Sequence, residues 1–317
     1  MRRRLPLVWL LAIGITTLAQ QKPVSPELLK LANSERTFSR TSAEKGVRAS
    51  FVEFFSDEAI NFTPHPGNAQ EYFRTHPAPA GPQPFTLTWE PIIADISQAG
   101  DLGYTTGPVL NVDNANKRPP RYSYYFSVWK KQPDNNWKVL IDLGTGTPTP
   151  TDPTKKNVFV PATPGTWRSK QKTDLEVERA QLLEVERKLS SATQQGNVGE
   201  ALNEYLADEA RLHRDGFMPM VTKKEILAYF DQQQVTRLTY EPIAAGVSTS
   251  GRVRPTGVAV ASFGIGHVGE GGCRPQSALQ DPVVSPMAER PRRPGPRGGN
   301  NRLNTVASLP LALLSPP

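Results

Sequence analysis

Apolar positions along the chain change their period from helical to alternating, and then the pattern starts again. Ser25-Pro26-Glu27 places a capping serine before a proline suited to the first helical position. Leu28, Leu31, Glu35, Phe38 and Ser42 then share one stripe at three- and four-residue spacing, which predicts a helix. A second short helix over Val47 to Phe55 carries Phe51, Phe54 and Phe55. Ala59 to Thr63 reads as a short strand, and Ala69 to Arg74 as a brief helix closed by Pro77 and Pro79. Four strand-like runs follow: Thr86 to Ile96, Gly103 to Val112, Tyr122 to Lys131 and Trp137 to Leu143. Gly100-Asp101 and Asp134-Asn135-Asn136 supply turns between them. Helices followed by an antiparallel meander define an α+β unit with helices on one face of a sheet.

The plan then recurs. Glu35-Arg36 matches Glu186-Arg187, Asp57-Glu58-Ala59 matches Asp208-Glu209-Ala210, and Thr88-Trp89-Glu90-Pro91-Ile92 matches Thr239-Tyr240-Glu241-Pro242-Ile243, all at an offset of 151. Three matches at one offset indicate duplication. The first unit spans 25–145 and the second 173–251, joined by a proline-rich stretch over 146–172 that reads as a semi-extended linker. Val158-Phe159-Val160 within it could add an edge strand. In the second unit, Asp174 to Gln194 predicts a helix with Leu182, Glu186, Leu189 and Thr193 on its stripe. Val198 to Leu206, Ala210 to His213, Thr222 to Phe230 and Leu238 to Val247 follow in the order of the first unit.

A resemblance is carried by Ala43-Glu44-Lys45-Gly46-Val47-Arg48, Phe55-Ser56-Asp57-Glu58-Ala59, Thr88-Trp89-Glu90-Pro91, Gly100 to Gly107 and Trp137 to Asp142. These segments are similar to the nuclear-transport-factor-2-like superfamily, in particular to exported bacterial members related to SnoaL-like cyclases and ketosteroid-isomerase-like proteins. The resemblance covers about 28–144 and 175–251. It implies a cone-shaped α+β domain of about three N-terminal helices packed on a curved antiparallel sheet, duplicated here with the second copy incomplete. It also implies a pocket between helices and sheet. It implies no activity, because the superfamily holds enzymes, binders and assembly modules. None of its catalytic sets matches this chain residue for residue.

The ends of the chain change the picture of charge. Arg2, Arg3 and Arg4, then an apolar run from Leu5 to Leu18 ending at Ala19, read as a cleaved secretory signal. The run is short for a span of roughly 20 residues, so no membrane anchor is expected after cleavage, and a secreted or periplasmic location follows. The net charge is +7. Three arginines of that signal and an excess of eight arginines over three acids in 250–317 account for all of it, leaving −1 over 20–249. No basic patch for nucleic acid is expected. Cys273 is the single cysteine, so no intramolecular disulfide can form.

Similarity between the two units stops at Gly251. Residues 250–317 hold no lysine and one aromatic, Phe263, and no paired strands are expected beyond this point. Two readings fit: a disordered basic tail, or a shifted reading frame near 251. The second is preferred because the change falls in mid-domain. On either reading the second unit lacks its last strands.

Candidate chemistry is sparse. Glu35 and Glu186 occupy the apolar stripe of the first helix of each unit. Each reads as a structural carboxylate, with a buried general base as the alternative. Tyr122, Tyr124, Phe126 and Val128 alternate onto one strand face, and tyrosines there could line a ligand pocket together with Tyr104 and Trp89. Asp142 reads as a solvent-facing strand aspartate, with a pocket-mouth acid as the alternative. His65 and His76 fit no zinc spacing, and neither metal nor cofactor is expected. Gly264 to Gly269 matches a dinucleotide fingerprint, but the residues after it are poor helix formers. Three functions compete: a non-catalytic module holding a small apolar ligand, a cofactor-free isomerase, dehydratase or cyclase using Glu35, and an interaction module forming a homodimer or an intrachain pseudo-dimer.

Overall fold

The computed structural model describes residues 24–62, 66–78, 80–97, 99–150, 174–208 and 210–249, with the backbone of short strands at 160–161, 265–268 and 307–308. The first helix, α1 (Pro26–Lys45), starts where the sequence predicts, with Ser25 Oγ accepting from Leu28 N at 3.1 Å. The whole stripe Leu28, Leu31, Glu35, Phe38, Ser42 is buried. Gly46 joins α1 to α2 (Val47–Phe54) at φ 90°, a conformation that glycine adopts without strain. β1 (Phe55–Asn61), β2 (Gly67–Asn68) and α3 (Ala69–Thr75) follow, α3 capped by Asn68 Oδ1 accepting from Glu71 N at 2.8 Å. The meander is β3 (Phe85–Trp89), β4 (Ile93–Ile96), β5 (Leu102–Asp113), β6 (Arg121–Lys131) and β7 (Trp137–Gly146). Among the described residues, no helix is long and apolar enough to cross a membrane.

The strand order is β2-β1-β7-β6-β5-β4-β8, where β8 is Val160–Pro161 and β3 also pairs with β5. The meander pairs antiparallel, but β1 runs parallel to β7 and β8 parallel to β4, so the sheet is mixed rather than wholly antiparallel. Neither pair is joined by a hairpin, and only a tight hairpin obliges neighbours to run in opposite directions. The single strand expected over Thr86 to Ile96 is divided at Glu90-Pro91-Ile92. Pro91 has no N–H for the ladder. Glu90 N and Ile92 N reach Pro108 O at 3.3 Å and Thr106 O at 3.0 Å, which presses the kink onto Gly107. A Cβ at Gly107 would stand 1.9 Å from the Glu90 carbonyl oxygen.

The helix-facing side of the sheet is aromatic. Phe38 of α1 packs against Phe51, Phe54, Trp89 and Trp129 with ring centroids 4.7–6.1 Å away. The outer side carries Leu102, Tyr104, Phe126, Val128, Ile141 and Leu143. In β7 the register slips between Val128 and Trp129 of β6, leaving Leu140 as the extra residue of a bulge. Trp137 and Val139 therefore join the helix-side core, while Ile141 and Leu143 join the outer cluster.

The second unit holds α4 (Leu175–Gln194), α5 (Val198–Tyr205), α6 (Lys223–Gln232) and β9 (Leu238–Thr239) around Leu189, Leu202, Leu212, Ile226, Phe230 and Leu238. Asp174 and Thr222 cap α4 and α6. The strands expected over Ala210 to His213 and Leu238 to Val247 shrink to a bridge, Leu212 to Met220, and to β9 with a lone bridge residue at Pro242. A strand is a ladder with a neighbour, and among the described residues the second unit has no neighbours as long as β5 to β7 of the first. β10 (Ile265–Val268) pairs with β9 and with β11 (Ala307–Ser308), overturning the expectation of no paired strands after 251. Ladders use backbone groups that any composition carries. Residues 265–268 of the glycine motif are thus a strand, and not the turn that opens a dinucleotide-binding helix.

The second unit sits on the outer face of the first unit's sheet. Asp101 accepts from Ser248 Oγ at 2.6 Å and Thr249 N at 2.8 Å. At another point Gly146 N donates to Asp215 Oδ1, and Gly216 N to Gly146 O, both at 2.8 Å. Between them His213 faces the rings of Tyr124 and Phe126 at 6.0 and 5.8 Å.

Candidate functional site

The helix-side interior of the first unit centres on Glu35, which is 0% exposed. Stripping a carboxylate of water is costly unless donors replace it. Here Trp89 Nε1 donates to Oε1, while Thr105 Oγ1 and Trp129 Nε1 (2.8 Å) donate to Oε2. Burial pushes the Glu35 carboxyl from 4.5 up to about 7, with the hydrogen bonds from Thr105, Trp89, Trp129 and Ser127 opposing the rise. The one hydroxyl proton of Ser127 goes to Asp142 Oδ1 at 2.7 Å, so toward Glu35 its oxygen is only a neighbour. Ser127 therefore stands between two acids.

Asp142 does not face solvent from an outer strand surface. The bulge at Leu140 turns it to the helix side, where it remains half-buried. Burial raises its carboxyl to about 8, against the Ser127 hydrogen bond and reinforced by Glu35. Tyr125 shares this face. Its ring lies 6.3 Å from that of Trp89, and its buried hydroxyl ends near Thr105 without an aligned hydrogen bond. Burial first, then Glu35, holds the Tyr125 hydroxyl well above its ordinary range.

Of the residues singled out from sequence, Glu35 and Trp89 meet here. Tyr104 and Tyr124 do not share their lining: both lie on the outer face, under the second unit. Tyr122 is on that face too, paired with Leu110 and half-buried. Burial pushes the Tyr104 hydroxyl up to about 12, with Asp95 adding to the rise and Arg211 opposing it. His76 is exposed and stacks on Tyr72 at 4.3 Å, and His65 lies outside the described residues. Thr105, Ser127, Tyr125 and Asp142 were not singled out as a set. Their signal was faint: a small polar residue set between Tyr125 and Trp129 on a strand face that is otherwise apolar.

The second unit repeats part of the arrangement at the same offset of 151. Glu186 accepts from Tyr240 Oη at 3.1 Å, as Glu35 does from Trp89. Trp89 N donates to Ser39 Oγ at 2.8 Å, and Ser190 Oγ donates to Tyr240 O at 2.6 Å. In both units these contacts tie the first helix to the segment carrying the aromatic residue.

No family model matches the chain, and no curated protein matches it. Solved structures do. A nuclear transport factor 2-like superfamily protein from Salmonella enterica is 12% identical, covering 41% of this chain and 96% of its own, with a TM-score of 0.29. A ketosteroid isomerase-like protein from Erwinia carotovora atroseptica is 7% identical, covering 39% and 98%, at 0.29. A conserved protein from Planctomyces limnophilus is 12% identical, covering 37% and 95%, at 0.27.

Proposed function

We propose that the chain is an exported, non-catalytic module of the nuclear-transport-factor-2-like kind. Its first unit holds a small, mainly apolar ligand bearing one carbonyl or hydroxyl oxygen. The observation that carries this reading is the linked acid pair, Glu35 and Asp142, beside the unpartnered Tyr125 hydroxyl and walled by Trp89 and Trp129. With carboxyls raised to about 7 and 8, the pair keeps a proton near neutrality and can donate it in a hydrogen bond to a ligand oxygen. The aromatic rings around the pair would suit an apolar body if the helices part to admit one.

Two acids with raised pKa values also support a second reading, an isomerase-type proton transfer. The names of the Erwinia and Planctomyces proteins do not decide between the two. The second unit is proposed as a duplicated, incomplete copy that serves as an intrachain partner for the first unit's sheet. Support for this comes from the contacts repeated at offset 151.

Native mass spectrometry of the purified mature chain tests the binding reading. Extra mass that is lost on denaturation, and lost also in Asp142→Asn, is the expected result. Retained ligand in Asp142→Asn would remove the acid pair from the account. Turnover of that ligand that disappears in Asp142→Asn would replace the binder with the enzyme.

A further inference from the structure

His213 occupies a place that suits an apolar residue. Along its segment, Leu212 enters the second unit's core, while Arg211 and His213 reach the first unit's sheet. The imidazole is 1% exposed, and neither ring nitrogen has a hydrogen-bond partner. A buried polar ring without partners holds its place only while it is uncharged. The groups around it are Arg211 on its own segment, Tyr104 and Tyr124 on β5 and β6, and Asp95 on β4, opposite Tyr104. Asp101 and Asp215 hold the flanking ties.

We propose that His213 is an acid-sensitive latch: protonating its ring, wedged against Tyr124 and Phe126 beside Arg211, lifts the second unit off the first unit's sheet. Burial first, then Arg211, lowers the His213 pKa from 6.5 to about 4. A released ring therefore takes up a proton more readily than a seated one. The latch is at full strength above 6.5 and weakens as the pH falls toward 4, by up to about two orders of magnitude in the docking constant. Asp95 acts in the opposite sense. Burial raises its carboxyl to about 7, so its contribution is fullest in acid and is lost as the pH rises through that value. At Asp101 burial raises the carboxyl, but the hydrogen bonds from Ser248, Thr249 and Ser97 together outweigh it, so that tie stays ionised below the ordinary range.

The test compares the full chain with His213→Phe, which keeps a ring of similar shape and removes the charge. The comparison cancels Asp95, which both proteins carry. Small-angle scattering from about pH 7.5 to about pH 4 should show the radius of gyration of the wild type rising below about pH 5, while His213→Phe stays compact. His213→Gln, a polar ring-free replacement that cannot titrate, serves as the second variant should the first fail to fold, and it too should stay compact. The His213 Cε1–H resonance should titrate well below 6.5. A wild type that stays compact at about pH 4 overturns the proposal. So does opening of the non-titrating variants at the wild-type pH, and so does a His213 pKa at or above 6.5.

Discussion

Glu35 shows how a charged side chain can sit inside an aromatic core, and what that does to stability. Its folded pKa of about 7 lies above the ordinary carboxyl value of 4.5. A raised acid pKa means that stability is whole below 4.5 and is lost as the pH rises through 7. The linkage amounts to about 3 kcal/mol, as an order of magnitude. Asp142 pulls in the same direction up to about 8. Urea unfolding should therefore give a stabler protein at pH 5 than at pH 8. Glu35→Gln should remove part of that slope, Asp142 keeping the rest, and destabilise chiefly at pH 5, by about 1–3 kcal/mol, because its amide N–H groups meet the donors of Trp89, Thr105 and Trp129. Equal slopes in the two proteins would contradict the buried acid. Glu35 was legible from its place on the helical stripe. Asp142 was not, because alternation read from Trp137 and Val139 puts it on the opposite face, and one extra residue at Leu140 reverses that parity.

At the scale of elements, periodicity located the helices within a residue or two, since caps and stripes are local features. Ser25, Asp174 and Thr222 each cap where the sequence places a helix start. Strands were harder where their existence depends on a distant partner. Tyr240 to Val247 alternates much as Trp89 to Ile96 does, yet the strand is confined to Leu238–Thr239, which pairs with the four-residue β10 where β3 has the twelve-residue β5. The Glu90 to Ile92 kink was foreshadowed by Pro91, but its dependence on Gly107, from a different strand, was hidden. Gly107→Ala should cost about 2–4 kcal/mol, since the methyl group collides with a backbone carbonyl that the kink cannot easily move. A urea midpoint within error of wild type would mean that the kink relaxes freely.

At the scale of the molecule, each unit has its own core, and the outer sheet face of the first unit is apolar beneath the second. The second unit, with strands of two to four residues at its sheet, should open first. Limited proteolysis is expected to cut within 174–249 before 24–150, and equal rates would count against that order. A chain ending near residue 150 should expose Tyr104, Phe126, Val128, Ile141 and Leu143 and self-associate in sedimentation runs. A monodisperse monomer would show that the face needs no cover. Because the cover is carried on the same chain, its local concentration is set by covalent connection and not by how much protein is present. Dilution therefore cannot strip it away. A separate subunit would be lost once the protein spread through a large volume, whereas this pairing survives down to the single molecule and answers only to changes that reach its interface.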